Sequence, residues 1–158
     1  METKRVYPSS LGACPAKQWY SWQNSGGVHT TRKMELGNLL HLAITSLWKE
    51  ELGGEIESKI RKNMWGVEFS GRMDYMNYNE VRELKVSFVG MDAESVINSA
   101  LYQASIYHYM TNLPVDIWVY DPFSDKPPVP LGIEIIPEDK MIERVWLFSR
   151  LYTEGPIM

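Results

Sequence analysis

Three charged residues lie within one stretch, GRMDYMNYNEVRELKVS, that otherwise has the alternating pattern of β-strands: Asp74, Glu83 and Lys85. A carboxylate near the interior of a sheet needs a cation, a metal ion or a surface position, because desolvating an isolated charge is costly. Hydrolysis of a phosphodiester uses carboxylates that hold a divalent ion, a water made nucleophilic, and positive charge against the developing oxyanion. The three residue types match these requirements.

Two other interpretations fit the same residues. Glu-x-Lys on a sheet face is also typical of a solvent-facing ladder of charges, and such a pattern arises readily by chance. Paired carboxylates also serve glycoside hydrolysis, but that reaction keeps one carboxyl protonated. Lys85 beside Glu83 favours ionisation of the carboxyl, so the glycosidase interpretation is the weaker of the two. The charge ladder stays open as an alternative.

The pattern around these residues predicts an antiparallel hairpin. Apolar residues alternate with polar ones from position 67 to 75, and the alternation resumes in VRELKVSFV. NYNE between the two segments supplies turn residues. Asp74 is then on one arm, with Glu83 and Lys85 on one face of the other arm. The three side chains can therefore meet.

A helix is predicted before the hairpin. In KMELGNLLHLAITSLWKEEL, apolar residues recur at intervals of three and four. This spacing predicts one buried stripe, made of Leu36, Leu40, Ala43, Leu47 and Trp48. The helix should end at Gly53 and Gly54. His41 lies at the flank of the stripe, where a lone histidine is more often a core or boundary residue than a metal ligand.

A second helix is predicted after the hairpin, in MDAESVINSALYQASIYHYMTNL. Asp92 is its expected cap and Pro114 marks its end. Gln103 and Tyr107 are four residues apart and present one polar edge beside the buried side. Taken alone, this pair fits an ordinary amphipathic boundary.

The order of elements predicts an α/β (α+β) fold with a mixed sheet. VDIWVYD reads as a short internal strand, DPFSDKPPVP as a loop, and LGIEII as a further strand before a last segment that is strand or helix. The chain of 158 residues suits a single domain, 1–158, in which residues 1–33 form an N-terminal helix or loop extension.

Composition narrows the function classes. The net charge of −4 gives no general attraction to phosphate, although ions held by acidic residues reverse the local field. Basic residues cluster in TTRK and KIRK, as solvated surface or as a backbone-binding rim. A single cysteine, Cys14, excludes an internal disulfide and a cysteine-held cluster. No apolar run reaches the roughly 20 residues of a membrane helix, and no secretory signal is visible, so we expect a cytoplasmic protein.

In order along the chain, these segments resemble the RecB-like branch of the PD-(D/E)XK nucleases, which includes CRISPR-associated and phage recombination exonucleases. SSLGACPAKQWYSW is similar to the branch's Cys-Pro-containing opening helix, and LGNLLHLAI to its G-x-x-x-H helix. GRMD matches the strand that carries the aspartate, ELK the E-x-K strand, and QASIY the Q-x-x-x-Y helix. The match covers about two thirds of the chain, and five weak signals in the right order are much stronger than one.

The resemblance implies a restriction-endonuclease-like mixed β-sheet core flanked by helices. It implies that Asp74 and Glu83 bind Mg²⁺ or Mn²⁺, with His41 as a further ligand, and that Lys85 positions water. Gln103 and Tyr107 would contact the DNA strand or brace the site. The branch's basic residue after Cys-Pro is replaced by Ala16, so the DNA contact passes to Lys17. Cysteines that hold an iron–sulfur cluster in some relatives are absent from the C-terminal part, so no cluster is expected.

Three functions are compatible with the sequence. The first is a metal-dependent deoxyribonuclease, an exonuclease on linear DNA, as in a virus or mobile element; its location would be a cytoplasm, that of the host if viral. The second is a non-catalytic DNA-binding module with a nuclease-like fold, in a viral or repair complex. The third is an interaction protein with an aromatic-rich face. A homodimer or a recombination or repair protein is the expected protein partner.

Overall fold

A computed structural model describes residues 5–11, 32–87 and 93–154. The strands are β1 (Arg5–Val6), β2 (Glu55–Met64), β3 (Val67–Met76), β4 (Val81–Val86), β5 (Val115–Tyr120) and β6 (Val129–Pro130). The α-helices are α1 (Arg32–Leu52), α2 (Ala93–Thr111) and α3 (Glu138–Glu154), and a short 3-10 helix spans Pro8–Ser10.

The strands form one six-stranded mixed sheet. Its order is β1-β3-β4-β5-β6, with β2 off this path. β2 pairs with one edge of β3 along its length, and β1 and β4 share the opposite edge. Pairing is parallel for β1 with β3 and for β4 with β5, and antiparallel for the remaining pairs. The parallel step from β4 to β5 requires a crossover, which α2 supplies. The α/β (α+β) class predicted from the sequence is confirmed.

Two apolar clusters pack on the sheet. The larger one joins the sheet to α2 and α3 and includes Val81 of β4 and Ile117 of β5. The smaller one joins it to α1 and includes Leu84 of β4, with Trp118 of β5 packed against it. Successive residues of a strand point to opposite faces, so β4 and β5 contribute to both clusters. The sheet therefore lies between helices on two sides.

The rotation of α1 corrects the stripe predicted from the sequence. Leu36 and Leu47 are 49% and 55% exposed, whereas Trp48 of the predicted stripe is buried and shares the side that faces the sheet with Ile44 and Thr45. The Thr45 hydroxyl is satisfied within the helix, since it donates to the His41 carbonyl oxygen at 2.9 Å. This helix has more apolar residues than one face can bury, so spacing alone was right for Trp48 and wrong for the exposed leucines.

The hairpin and the helix end were predicted correctly. β3 and β4 are antiparallel and joined by NYNE. α1 ends before Gly53, which has a φ of +74° and whose amide donates a hydrogen bond to the Lys49 carbonyl at 2.9 Å. None of the three α-helices in the described ranges has a stretch apolar enough to cross a membrane.

The prediction of a strand in LGIEII is wrong. Residues 131–137 have no regular structure, and side chains of neighbouring elements accept from three of their backbone amides. Asp116 Oδ1 accepts from the Gly132 and Ile133 amides at 3.0 and 3.2 Å, and Ser105 Oγ accepts from the Ile136 amide at 3.0 Å. The last segment is the helix α3. Cys14, Lys17 and the rest of 12–31, like the expected cap Asp92, lie outside the described residues.

Candidate active site at a gap in the sheet

A gap in the hydrogen-bond ladder separates β3 from β4 where the predicted carboxylates lie. The two strands pair only at Tyr75 with Arg82 and at Met76 with Val81. Near its start the same edge of β3 pairs with β1, at residues 68 and 69. Residues 70–74 of β3, called here the ladder gap, therefore have no strand partner on that edge within the described part of the chain.

Asp74 and Glu83 occupy the end of the ladder gap and bond to each other's strands. Asp74 Oδ2 accepts from the Leu84 amide at 2.7 Å, and Glu83 Oε1 accepts from the Asp74 amide at 3.3 Å. The two carboxylates thus satisfy backbone amides of the opposite strands where the ladder is interrupted. The register of the hairpin places the two residues opposite each other, so their carboxyl groups converge.

The turn of the hairpin fixes this register. Asn77 Oδ1 accepts from the Asn79 and Glu80 amides at 2.8 and 3.0 Å. An asparagine that bonds to its own following backbone stabilises a tight turn. The Tyr75 hydroxyl also donates to the Gly53 carbonyl at 2.8 Å, which ties the hairpin to the end of α1.

His41 of α1 reaches the carboxylates from the helix side. Its Nε2 lies 3.1 Å from Asp74 Oδ2, and its side chain is 23% exposed. Trp48, two turns further along α1, is buried in the smaller cluster and fixes the rotation of the helix. That rotation brings His41 to the site, so the structure favours a site position over an isolated boundary histidine.

Glu83 is buried in an environment that disfavours its charge. The residue is 1% exposed. Burial raises the pKa of this carboxyl well above its ordinary value, and the charge of Asp74 raises it further. The positive charge of Lys85 lowers the same pKa, but by less. Without a metal, a proton on Glu83 therefore removes the cost of burying its charge and its repulsion with Asp74. A bound cation would offset the same two costs.

Tyr107 of α2 fills the middle of the ladder gap. Its hydroxyl accepts from the Arg72 amide at 3.1 Å and donates to the Arg72 carbonyl at 3.0 Å. Gln103, one turn earlier, bonds to the same hydroxyl. Burial, and then the charge of Glu83, raises the pKa of Tyr107, so the phenol stays protonated. A side-chain hydroxyl thus takes the place of a missing strand.

Gly71 permits this approach. A Cβ at position 71 would lie 2.6 Å from the Tyr107 hydroxyl and 3.0 Å from its ring. Such distances are too short for any larger residue without displacement of the tyrosine. An open cleft of about 600 Å³ extends from this point, with Gly71, Arg72 and Tyr107 in its lining.

The two carboxylates fit a hard divalent cation such as Mg²⁺ or Mn²⁺, whereas an imidazole is more typical of softer ions such as zinc or iron. In residues 5–11, 32–87 and 93–154, however, no three His, Cys, Asp or Glu side chains are arranged to hold one ion. The oxygens of Asp74 and Glu83 are turned to backbone amides and to His41 instead. Binding an ion would require the carboxylates to exchange these bonds for the metal.

The structure brings together the predicted residues that it describes. Asp74, Glu83, His41 and Lys85 lie at one point of the sheet, and Tyr107 with Gln103 lies beside them. Of the cations in the lining of the cleft, Lys59 and Arg61 belong to KIRK, for which the sequence left open a solvated surface or a backbone-binding rim. Sequence reasoning did not single out Arg72, two residues before Asp74.

Two crystal structures share this fold. SSO0001 has a TM-score of 0.68 at 20% sequence identity, with 99% of this chain and 81% of that chain covered. An alkaline exonuclease (LHK-Exo) from Laribacter hongkongensis has a TM-score of 0.61 at 16% identity, with 96% and 87% covered. At these identities the similarity shows the fold alone. No protein-family model and no curated protein matches the chain.

Proposed function

We propose that the chain is a metal-dependent deoxyribonuclease of the RecB-like branch, which hydrolyses phosphodiester bonds of linear DNA as an exonuclease. The observation that carries this proposal is the pair Asp74 and Glu83, which converge at the ladder gap with His41 and Lys85 beside them. A surface charge ladder would not bury a carboxylate to 1% exposure. The shared fold with an alkaline exonuclease supports the same function.

Asp74 and Glu83 would hold Mg²⁺ or Mn²⁺, with His41 as a further ligand. The bound ion would lower the pKa of water and offset negative charge on the phosphate. The burial that raises the pKa of Glu83 favours this role, because a cation removes the cost of keeping the carboxylate charged. His41 would donate from Nε2 to Asp74 whenever the ion is absent.

Lys85 would orient the attacking water through its Nζ. It lies two residues from Glu83 on β4, on the same face, and its charge acts on that carboxyl. Tyr107 and Gln103 would brace the ladder gap and contact the strand that is cut. A protonated Tyr107 can only donate to a phosphate oxygen if it gives up its bond to the Arg72 carbonyl, so bracing is its main role.

A cleavage assay tests the proposal. Linear and closed-circular DNA are incubated with the protein and Mg²⁺, Mn²⁺ or EDTA. Wild type should degrade linear DNA only with a metal, and circles should survive if ends are required. Asp74→Asn and Glu83→Gln should abolish cleavage, and Lys85→Ala should lower kcat more than affinity. Glu50→Gln, an exposed carboxylate on α1, is the matched control and should cleave normally.

The alternative function is a DNA-binding module without turnover. It predicts that the wild type binds DNA but cleaves no substrate with any metal. Normal cleavage by Glu83→Gln would instead place the reaction somewhere else on the protein.

A further inference from the structure

The guanidinium of Arg82 is enclosed by three aromatic rings between the sheet and α1. Its Cζ lies 4.0 Å from the ring centroid of Trp118, 5.0 Å from that of Trp48 and 5.7 Å from that of Tyr75. A cation within about 6 Å of a ring centroid is attracted by the ring face. The three rings, called here the arginine cage, belong to β5, α1 and β3. One side chain of β4 therefore contacts three other elements.

The rings of the arginine cage support one another, and the charge inside it is paired. Trp48 packs edge-on against both other rings, with centroids 5.7 Å from Tyr75 and 5.4 Å from Trp118. The Arg82 side chain is 13% exposed, and its Nε forms an ion pair with Glu80, the last residue of the hairpin turn. A guanidinium removed from water needs such a partner, because desolvating its charge is costly. Arg82 thus ties the turn to the sheet and to α1.

Arg82 lies at the border of the ladder gap. Its pairing with Tyr75 is the last one between β3 and β4 before the ladder stops. The next contacts between the two strands use carboxylates: the Leu84 amide donates to Asp74 Oδ2 at 2.7 Å, and the Asp74 amide donates to Glu83 Oε1 at 3.3 Å. A shift of β4 at Arg82 would therefore move the Glu83 carboxyl relative to Asp74.

The arginine cage also connects this border to the helix that carries His41. Trp48 follows His41 by seven residues, which is about two turns of α1, and it is buried. Two turns of a hydrogen-bonded helix move as one unit. The contact of Trp48 with Arg82 therefore helps to set the distance between His41 Nε2 and Asp74 Oδ2, which is 3.1 Å.

We propose that Arg82 is a positioning residue of the candidate active site. Arg82 and Glu83 are consecutive in a strand and point to opposite faces, so the guanidinium acts on the carboxylates through the backbone and not by contact. Its place in the arginine cage sets the positions of Glu83 and His41 relative to Asp74. The proposal rests on the metal site of the proposed nuclease and adds a residue, outside the predicted ligands, on which that site depends. Residues that orient ligands in this way change metal affinity by about 10–100-fold when they are lost.

Binding of Mn²⁺ without DNA, measured by isothermal titration calorimetry, tests the proposal. Arg82→Met keeps an apolar stem and removes the guanidinium, whereas Arg82→Lys keeps a cation. A second measurement needs no metal: deuterium exchange of the Leu84 amide, followed by NMR in EDTA, reports on its bond to Asp74 Oδ2. Both measurements are made well below the Tm of each variant, so that every protein compared is folded.

Arg144 of α3 supplies the matched control. Its Cζ lies 5.0 Å from the ring centroid of Tyr102 and 5.2 Å from that of Phe148, and its Nε donates to the Leu11 carbonyl at 2.9 Å. Arg144 is therefore another arginine held against two aromatic rings, but these rings belong to the larger apolar cluster and not to the arginine cage. Arg144→Met and Arg144→Lys remove the same groups at a position without a link to Glu83.

Arg82→Met should bind Mn²⁺ about tenfold or more weakly than wild type, and its Leu84 amide should exchange faster. Arg82→Lys should lie between wild type and Arg82→Met, because an ammonium still meets the rings but lacks the planar guanidinium. Arg144→Met should lower the Tm by a comparable amount, yet bind Mn²⁺ and protect the Leu84 amide as wild type does.

Two results would overturn the positioning role of Arg82: wild-type Mn²⁺ affinity of Arg82→Met, or an equal loss of affinity in Arg144→Met, which would make the effect a general result of lower stability. Either result leaves the nuclease proposal intact if the wild type binds Mn²⁺ and cleaves DNA. A wild type that binds no Mn²⁺ would overturn the nuclease proposal, and exchange of the Leu84 amide in the same variants would then decide the positioning role by itself.

Discussion

Replacing Glu83 by glutamine should make the metal-free protein more stable at alkaline pH. The substitution keeps the shape of the side chain and an oxygen that can accept from the Asp74 amide, and it removes a charge that is 1% exposed. Burial and the charge of Asp74 raise the pKa of Glu83 in the folded protein. The charged form is therefore less stable in the folded chain than in the unfolded one.

The pH dependence follows from that direction. Below the ordinary pKa of 4.5, Glu83 is protonated in both states and its burial costs no charge. As the pH rises above 4.5, the unfolded chain ionises at this residue while the folded chain resists, so wild type loses stability relative to Glu83→Gln. The difference grows until the pH exceeds the folded pKa and is constant above it.

The size of the effect comes from the burial. A buried charge that is only partly compensated costs about 1–3 kcal/mol. A chain of this length changes its Tm by about 2–4 °C per kcal/mol. Thermal unfolding in EDTA at about pH 8 should therefore place the Tm of Glu83→Gln about 2–12 °C above wild type. At about pH 4 the two proteins should have nearly equal Tm values.

Divalent metal should reduce or reverse this difference. At a free ion concentration about a hundredfold above Kd, binding adds about 2.7 kcal/mol to wild type, or about 5–11 °C in Tm. Glu83→Gln lacks the charge and should gain much less. Glu50→Gln is the control and should follow wild type throughout. If Glu83→Gln were less stable than wild type in EDTA at alkaline pH, the charge of Glu83 would be fully compensated and the reasoning refuted.

Three further changes have defined outcomes. Tyr107→Phe leaves the Arg72 amide and carbonyl without their partner, which should cost about 1–3 kcal/mol in denaturant unfolding, whereas the exposed Tyr78→Phe should cost nothing measurable. Gly71→Ala places a Cβ 2.6 Å from the Tyr107 hydroxyl and should lower the free energy of unfolding by about 1–3 kcal/mol. A Tm equal to that of wild type would contradict this contact. His41→Asn should change the ratio of activity with Mg²⁺ to activity with Mn²⁺, and an unchanged ratio in the cleavage assay removes His41 from the ligands.

The sequence by itself determined the features that depend on neighbours along the chain. Alternation on both sides of NYNE was enough to predict the hairpin, and the hairpin register places Asp74 opposite Glu83. The end of α1 at Gly53 was equally predictable, because positive φ is a local property of glycine. These features are set by interactions within a few residues, which a single sequence displays directly.

Only the tertiary structure decided which surfaces meet. Two apolar sides of α1 competed for burial, and packing of Trp48 against Tyr75 and Leu84 selected the one that turns His41 toward Asp74. The ladder gap likewise depends on β1 pairing with one end of β3 and β4 with the other, and neither pairing shows in the sequence of β3. The physical reason is that burial and strand pairing are chosen by distant partners, whereas turns and helix ends are chosen by the residues that form them.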